Sequence, residues 1–377
     1  MTLTNNIPGL PGNNNFKVMK AGADKLGYKE CHTGRMAINS EPRDDRNACQ
    51  QTGFCFQGCK WGAKWSTLYS EIPKGEATGH LEVRPNAMAI KINHDASGKV
   101  TGVVYADKDG RLQEQKARIV AVVGNSIESP RLLLNSASSQ FPDGLANSSG
   151  QVGKNYMRHT TGSVYGIFDE PVHMYRGTTM AGIIRDEARN DPSRGFVGGY
   201  ELETLSLGLP FMAASIPAAG GVPSPRRSTT TTIWPACGSS AKTCRASKNR
   251  ITLHADLKDE HGMAVADVHF DDHANDTAMR DHAYKQGSAL YAAVGATRTF
   301  PTPPYPSTHN LGTNRMSEKA ADGVVNKHGQ AHDIKNLFVS DGSQFTTGGA
   351  ENPTLTIVSL AIRQADYIAE QMSAKSI

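Results

Sequence analysis

The chain has little of what would place it in several large protein classes. It carries six cysteines in 377 residues, too sparse for a disulfide scaffold. Aromatic residues make up 7%, which argues against a surface that stacks bases. Neither sign of charge dominates: 40 Lys and Arg stand against 36 Asp and Glu, a formal net charge of +4. No dense basic block is present, so nucleic acid is not an expected partner. No apolar run approaches the roughly 20 residues of a membrane-crossing helix, and no direct membrane span is expected. A mean hydropathy of −0.45 fits a soluble globular protein rather than an embedded one. The start, MTLTNNIPGLPGNNN, lacks the basic residues and apolar stretch of a secretion signal. What the chain does have is length, enough for two to three domains at about 150 residues each.

Local patterning changes along the chain. Phe16, Met19, Ala23 and Leu26 recur at helical spacing and predict a short amphipathic helix between Asn15 and Tyr28. Cys49 to Gly62 is rich in Gly and Cys without periodicity and reads as a loop. Leu81 to Val123 reads as strands, with a turn at Asp109–Gly110. The apolar run Ile119 to Val123 predicts a strand buried on both faces. Gly124 follows. Ser129–Pro130 then supplies a helix start, serine as N-cap and proline at the first helical position, with Arg131 to Asn135 behind it. Strand, glycine and helix make one half of a parallel α/β unit.

From about Asn155 to Phe300 short strands (NRITLHAD, AVADVHFDD) and a helix from Thr277 to Val294 predict an α+β domain over an antiparallel sheet. Within it, Ser224 to Lys248 shows no strand or helix pattern. Leu337 to Val339 reads as a further strand. Asn352–Pro353 then opens a helix with an apolar stripe at Leu355, Val358, Ile362, Ala365, Ile368 and Met372.

Three constellations suggest chemistry. Cys49, Cys55 and Cys59 fall within eleven residues of one loop. Thiolates this close can converge on a soft metal centre. A tetrahedral zinc site would need a fourth ligand, from Cys31 or His32; three cysteines alone suit a three-iron cluster; free buried thiols are the plain alternative. His309, in STHNLGTNRM, is a candidate general base, since imidazole titrates near neutral pH, although most of the thirteen histidines must do something else. Asn352 stands where the last helix begins. Its simplest role is N-cap, and a helix N-terminus also stabilises negative charge. VHFDDH (Val268 to His273) reads as a strand end and polar turn rather than a metal box.

Several of these pieces together resemble the glucose–methanol–choline (GMC) flavoprotein oxidoreductases. The residues that carry the resemblance are VGNSIESPRLLLNSA (Val123 to Ala137), VGKNYMRH (Val152 to His159), HNLGTNRM (His309 to Met316), GVVN (Gly323 to Asn326), and NLFVSDGSQF followed by ENPTLTIVSLAIRQAD. The resemblance implies an α/β FAD-binding domain with an α+β substrate domain over an antiparallel sheet. It implies a cysteine loop and connecting region over 1–71, FAD-domain segments at 72–155 and 306–377, and a substrate domain over 156–305. It assigns His309 as catalytic base and Asn352 as the second active-site residue. Asp341 and Gly342 would approach the cofactor's phosphates and ribityl chain, Pro353 and Thr354 the flavin's pyrimidine end, and Ala89 and Gly124 the adenosine half. The three-cysteine loop is similar to that of FAD-dependent gluconate and glucose dehydrogenases, whose cysteines hold a three-iron four-sulfur cluster.

The expected function is therefore oxidation of a CH–OH group of an alcohol, sugar or sugar acid. Hydride would pass to FAD and electrons onward through the cluster to an external acceptor. A cytochrome c subunit and a small accessory subunit are implied partners. The implied location is the periplasmic face of the inner membrane through those partners, or otherwise the cytoplasm. Two departures qualify this. No GxGxxG unit for the FAD pyrophosphate is present, so the chain reads as an N-terminally truncated member. In addition, one permitted codon choice for Thr229 to Arg245, read two bases later, gives a family-like peptide. Residues 224–248 thus read as frameshifted, with Cys237 and Cys244 as by-products. The competing expectations are a catalytically inactive remnant and a zinc-binding structural fragment.

Overall fold

A computed structural model describes residues 7–34, 36–206, 248–305 and 307–377, and the backbone of 228–237. In chain order the first elements are α1 (Asn14–Leu26), β1 (Cys31–His32), α2 (Glu71–Ala77), β2 (Met88–His94), β3 (Val100–Ala106), β4 (Leu112–Lys116), β5 (Val120–Val122) and α3 (Asn125–Asn135). Then come β6 (Met157–Arg158), β7 (Gly162–Ile167), β8 (Ile183–Ile184), β9 (Gly198–Thr204), β10 (Ser228–Cys237), β11 (Arg250–Lys258) and β12 (Ala264–His269). The last are α4 (Ala274–Ala293), β13 (Arg298–Pro301), β14 (Asn310–Leu311), β15 (Leu337–Val339) and α5 (Thr354–Ser373). They fall into two compact units, each made of separated stretches of chain.

The first unit comprises Met1–Val83, Thr160–Pro235 and Asp276–Pro306. Its six-stranded sheet runs β1-β8-β9-β10-β7-β13 with antiparallel pairings, whereas the short strands that suggested an antiparallel domain, in NRITLHAD and AVADVHFDD, are β11 and β12 and fall in the other unit. Strand β7 explains how a helix covers one face. A Cβ at Gly162 would lie 2.1 Å from Tyr284 Oη, and one at Gly166 2.8 Å from the Tyr291 ring. Glycine at alternate positions thus lets the tyrosines of α4 pack against the strand. Met19, Ala23, Val164, Tyr200, Leu202, Leu290 and Tyr291 form the buried core there. Helix α1 lies where the spacing predicts it. Asn13 caps it by accepting the Phe16 N–H at 2.9 Å, and Gly27 ends it at φ 81°.

One sequence expectation fails in this unit. Ser228–Cys237, inside the stretch read as patternless, forms β10 and pairs with β7 from Ser228↔Ile167 to Ile233↔Gly162. Its run of four threonines followed by Ile233 and Trp234 is β-branched and aromatic, which a pleated surface favours. Cys244 and the rest of 238–247 lie outside the described residues.

The second unit comprises Arg84–His159, Ala236–Asn275 and Ser307–Ile377. It holds the meander β2-β3-β4, the hairpin β11-β12 and the parallel pair β5-β15, in register Leu337↔Val120 and Val339↔Val122. Buried Asn336 joins two of these sheets. Its side chain accepts from Val100 N–H at 3.1 Å and donates to the carbonyls of Val100 and Arg118 at 2.8 and 2.7 Å. Replacing Asn336 with Ala strands the two buried backbone groups of Val100 at about 1–3 kcal/mol each, while the Arg118 carbonyl is open enough to turn to water. We therefore expect a loss of about 2 kcal/mol or more in denaturant titration; a loss below about 1 kcal/mol would contradict this accounting.

Three local expectations need correction. Strand β5 is buried on one face only: Val120 and Val122 pack into the core, while Ala121 and Val123, pointing to the opposite face, are exposed. Helix α3 begins at Asn125 with Gly124 at its cap, so Pro130 sits inside it. Proline has no N–H to give the Ser126 carbonyl, and the Thr313 hydroxyl donates to that carbonyl instead at 2.8 Å. That substitute donor is why the helix tolerates the proline. Finally, α5 docks through polar Gln364, which donates to the carbonyls of His328 and Val339 at 2.9 Å each, and through Tyr367 stacked on His328. The apolar stripe read from the sequence is not buried: Leu355 is 61% and Ile362 57% exposed, Ala365 is exposed too, and Val358, Ile368 and Met372 are half-buried.

Candidate active site

The segment from Ser307 to Met316 is held on two sides. The Ser307 hydroxyl accepts the His309 backbone N–H at 2.9 Å. Gly312, Asn314 and Met316 donate backbone N–H groups to the carbonyls of Gly342, Ser343 and Gln344 at 3.1, 2.8 and 2.8 Å. On the other side β14 pairs antiparallel with β6, Asn310 opposite Arg158. That register sets residue 309 beside residue 159. Their imidazoles meet edge to face, centroids 4.8 Å apart at 86°, with the two Nδ1 atoms 2.8 Å apart.

Burial governs the charge of this pair. His159 is 3% exposed. Burial, with the charge of His309 adding to it, lowers its pKa to about 3, while a hydrogen bond with the Gly349 backbone pulls the other way. Burial alone lowers His309 to about 4. Both rings are neutral at pH 7, the state a general base needs.

Asp341 and Gly342 lie against the same segment. The Asp341 carboxylate is buried, accepting from the Ser129 hydroxyl and from the Ser343 N–H at 2.8 Å. The Ser129 hydroxyl oxygen in turn accepts the Gly124 N–H at 2.8 Å. A Cβ at Gly342 would meet the Asn310 carbonyl at 2.8 Å and Leu311 Cδ2 at 3.0 Å, so glycine is required by close approach. The Ser126 hydroxyl donates to that Asn310 carbonyl at 2.8 Å. His309, Asp341, Gly342 and Gly124, separate in sequence, are thus brought into one hydrogen-bonded region.

The remaining assigned residues are placed as follows. Ala89 is on β2, paired with Tyr105. Asn352 is exposed and precedes α5 without capping it. The cap position is Pro353, with no side-chain hydrogen bond, and Thr354 is the first helical residue. The N-cap reading of Asn352 is therefore corrected: the helix starts one residue too late for it. Upstream, Gly348 and Gly349 present bare backbone. A Cβ at Gly348 would touch Leu311 at 3.6 Å and His159 Nε2 at 3.9 Å, and one at Gly349 would meet only Glu351 N at 4.0 Å. Sequence alone does not single out His159, Ser126 or Thr313, and points to Ser129 only as a helix cap. His159 ends the VGKNYMRH motif, but only strand register shows what it touches.

In the first unit Cys49, Cys55 and Cys59 line one small cavity with Gln51, Gly53, Gly58, Trp61 and Lys64. Gly53 and Gly58 have φ 81° and 98° and make the loop's turns. Burial pulls the Cys59 thiol up, but backbone N–H groups of Lys64, Trp61, Ala63 and Gly62 outweigh it and hold the thiol below its usual range. Burial, with the charges of Cys55 and Cys59 adding to it, raises Cys49 against a Gln51 N–H bond. Among the described residues no three His, Cys, Asp or Glu side chains stand as a group that could hold a metal ion. Cys31 is on β1, packed against the core rather than lining that cavity, and burial pushes its thiol to about 11.

Two family models match the chain: the N-terminal GMC oxidoreductase model over residues 4–161 and the C-terminal one over residues 245–361. The chain belongs to the GMC oxidoreductase family. It is 35% identical over 350 residues to the 2-methyl-1,2-propanediol dehydrogenase of Mycolicibacterium austroafricanum, covering 89% of this chain and 63% of that protein. It is 28% identical over 354 residues to the fructose dehydrogenase large subunit of Gluconobacter japonicus, covering 92% and 64%. This GMC chain thus spans less than two thirds of the length of these relatives. The crystal structure of pyridoxine 4-oxidase from Mesorbium loti shares the fold at a TM-score of 0.64 and 15% identity, over 96% of this chain and 71% of that one. The GMC fold binds FAD, and the residues present fit its flavin end. Bare glycine backbone lies beside His159, and the α5 N-terminus has no capping side chain and no acidic residue in its first turn.

Proposed function

We propose that the protein is an FAD-dependent dehydrogenase that oxidises a CH–OH group of an alcohol, sugar or sugar acid. The observation that carries this reading is His309: neutral, half-buried, gripped by two backbone ladders, and in contact with the ring next to the Gly348–Gly349 surface. FAD, when bound, supplies the hydride acceptor. His309 takes the substrate's hydroxyl proton, and burial keeps it unprotonated and ready. Asn352 orients the hydroxyl from the loop before α5. Pro353 and Thr354 hold the flavin's pyrimidine end. The uncapped N-terminus of α5 favours negative charge there. Asp341, Gly342, Gly124 and Ala89 serve the ribityl chain, phosphates and adenosine.

The test is a panel of diols, sugars and sugar acids with a dye acceptor and added FAD. Dye reduction dependent on a hydroxylated substrate is expected; no reduction with any member of the panel would sink the reading.

The three-iron four-sulfur cluster belongs to the same proposal only as what the resemblance of the cysteine loop implies. Three thiols line one cavity, one of them held toward thiolate by backbone N–H groups, but they do not stand as a metal-holding group among the described residues, so no electron path is derived through the loop. The similarity to a protein named as the large subunit of fructose dehydrogenase and to the gluconate 2-dehydrogenase flavoprotein of Pantoea cypripedii supports companion subunits; a cytochrome c among them and a membrane-face location through it are the remaining parts of the proposal. No described helix is long and apolar enough to cross a membrane. Anaerobic purification followed by iron and sulfide analysis and electron paramagnetic resonance is expected to show iron and sulfide. That signal should be lost in Cys59→Ser. Zinc, or no metal, would remove the cluster from the account.

A further inference from the structure

The cysteine loop of the first unit does more than gather thiols: it holds large apolar side chains out in solvent. Phe54, Phe56 and Trp61 are 57%, 60% and 38% exposed. A free loop would fold such rings inward, since covering one removes roughly 150–250 Å² from water. This loop is anchored against doing so. A Cβ at Gly53 would lie 2.2 Å from the Tyr175 carbonyl oxygen, and the Gly177 N–H donates to the Gln51 carbonyl at 2.9 Å. The Cys49 N–H donates to the Asn39 carbonyl at 2.8 Å, and Lys64 Nζ to the Cys55 carbonyl at 3.0 Å. Two turns lie between these anchors. One is closed by the Gln57 N–H on the Phe54 carbonyl at 3.2 Å and carries Phe54 and Phe56. The other is closed by the Gly62 N–H on the Cys59 carbonyl at 3.0 Å and carries Lys60 and Trp61.

The charge around these rings has one sign. Residues 47–70 contain no Asp or Glu, and Lys60 and Lys64 among them are exposed. The Lys60 ammonium stands over the Trp61 ring, 5.6 Å from its centroid. Arg176, also exposed, follows the Tyr175 carbonyl against which Gly53 packs. The acids that flank the segment are offset. Asp44 lies 3.9 Å from the Arg43 guanidinium, Asp45 shares its turn with Arg43 and Arg46, and Glu71 accepts from Trp65 Nε1 and the Ser70 hydroxyl.

We propose that this loop is a peripheral contact site for an anionic lipid bilayer. Phe54, Phe56 and Trp61 enter the headgroup layer, and Lys60, Lys64 and Arg176 meet the anionic headgroups. Area decides between a bilayer and a protein as the occupant. Three rings about half exposed offer roughly 300 Å², well below the roughly 800 Å² per partner of a stable protein interface. A bilayer accepts isolated rings and attracts nearby cations without a matched surface. The contact belongs to this chain itself and depends neither on companion subunits nor on the flavin chemistry.

The experiment is co-sedimentation of the whole chain with phosphatidylcholine vesicles that contain phosphatidylglycerol, compared with vesicles of phosphatidylcholine alone. Binding to the anionic vesicles should be tighter by about tenfold or more and should weaken as salt is raised. Tryptophan emission should shift to the blue on binding, and Trp61→Phe should abolish the shift. Phe54→Ser with Phe56→Ser should weaken binding by about tenfold or more, and Lys60→Glu with Arg176→Glu by about as much. All four positions are exposed, so these variants remove no buried contact, and melting temperatures equal to the native value verify that they fold. No binding to the anionic vesicles, or binding that both double variants leave unchanged, overturns the proposal. So does a native chain that ignores vesicles but self-associates in a way that Phe54→Ser breaks, which would assign the loop to a protein interface.

Discussion

Replacing His309 with Ala is expected to lower kcat by about 10²–10⁴, the range of a positioned general base, while KM changes little and flavin stays bound. The loss should be concentrated in the step that takes the hydroxyl proton. A solvent isotope effect on kcat should therefore change along with the rate. His309 is a suitable base because it is neutral well below pH 7, with a pKa of about 4 set by burial. On the acid side the native enzyme should keep its base form down to about that value. If the variant turns over at the native rate, another group does the chemistry.

Acid should destabilise the protein through the same pair. The folded-state pKa values, about 3 for His159 and about 4 for His309, lie below the roughly 6.5 of an unfolded histidine. Below pH 6.5 the unfolded chain takes up protons that the folded one refuses. The stabilisation is therefore complete above that pH, declines as pH falls, and stops declining below about 3. For two buried groups the total is on the order of a few kcal/mol. The melting temperature should fall between pH 7 and pH 4, and the fall should be shallower in His159→Phe relative to its own neutral-pH value. An equal slope in both would show that these rings do not carry the acid sensitivity.

How much of this was readable in the sequence depends on the distance over which each feature is decided. Helix α1 carries its own cap at Asn13 and stop at Gly27, and β15 is a three-residue apolar strand, so both were placed from local pattern. The start of α3 was misplaced because Ser–Pro is a good local start signal. The hydroxyl that replaces the missing proline donor belongs to Thr313, far along the chain. The inward face of α5 is not legible locally: hydrophobicity points to Leu355 and Ile362, whereas the helix is anchored by Gln364 bonded to two backbone carbonyls. At the site, His309, Asp341 and Gly342 lay in motifs that could be recognised as strings. His159 lay in one too, but its partner follows from antiparallel register between two-residue strands, which no local pattern encodes. The cysteine loop was legible as a cluster of thiols, and its glycines as turns.

The central claim is that this GMC chain oxidises a hydroxylated substrate with His309 as base, and stopped-flow absorbance of the FAD-loaded protein under anaerobic conditions tests it most directly. Mixed with an oxidisable sugar or diol, the flavin's visible band should bleach in the native protein and bleach about 10²–10⁴ more slowly in His309→Ala. Bleaching at equal rates in the two proteins would contradict the account, and so would a flavin-loaded native protein whose band does not respond to any hydroxylated substrate.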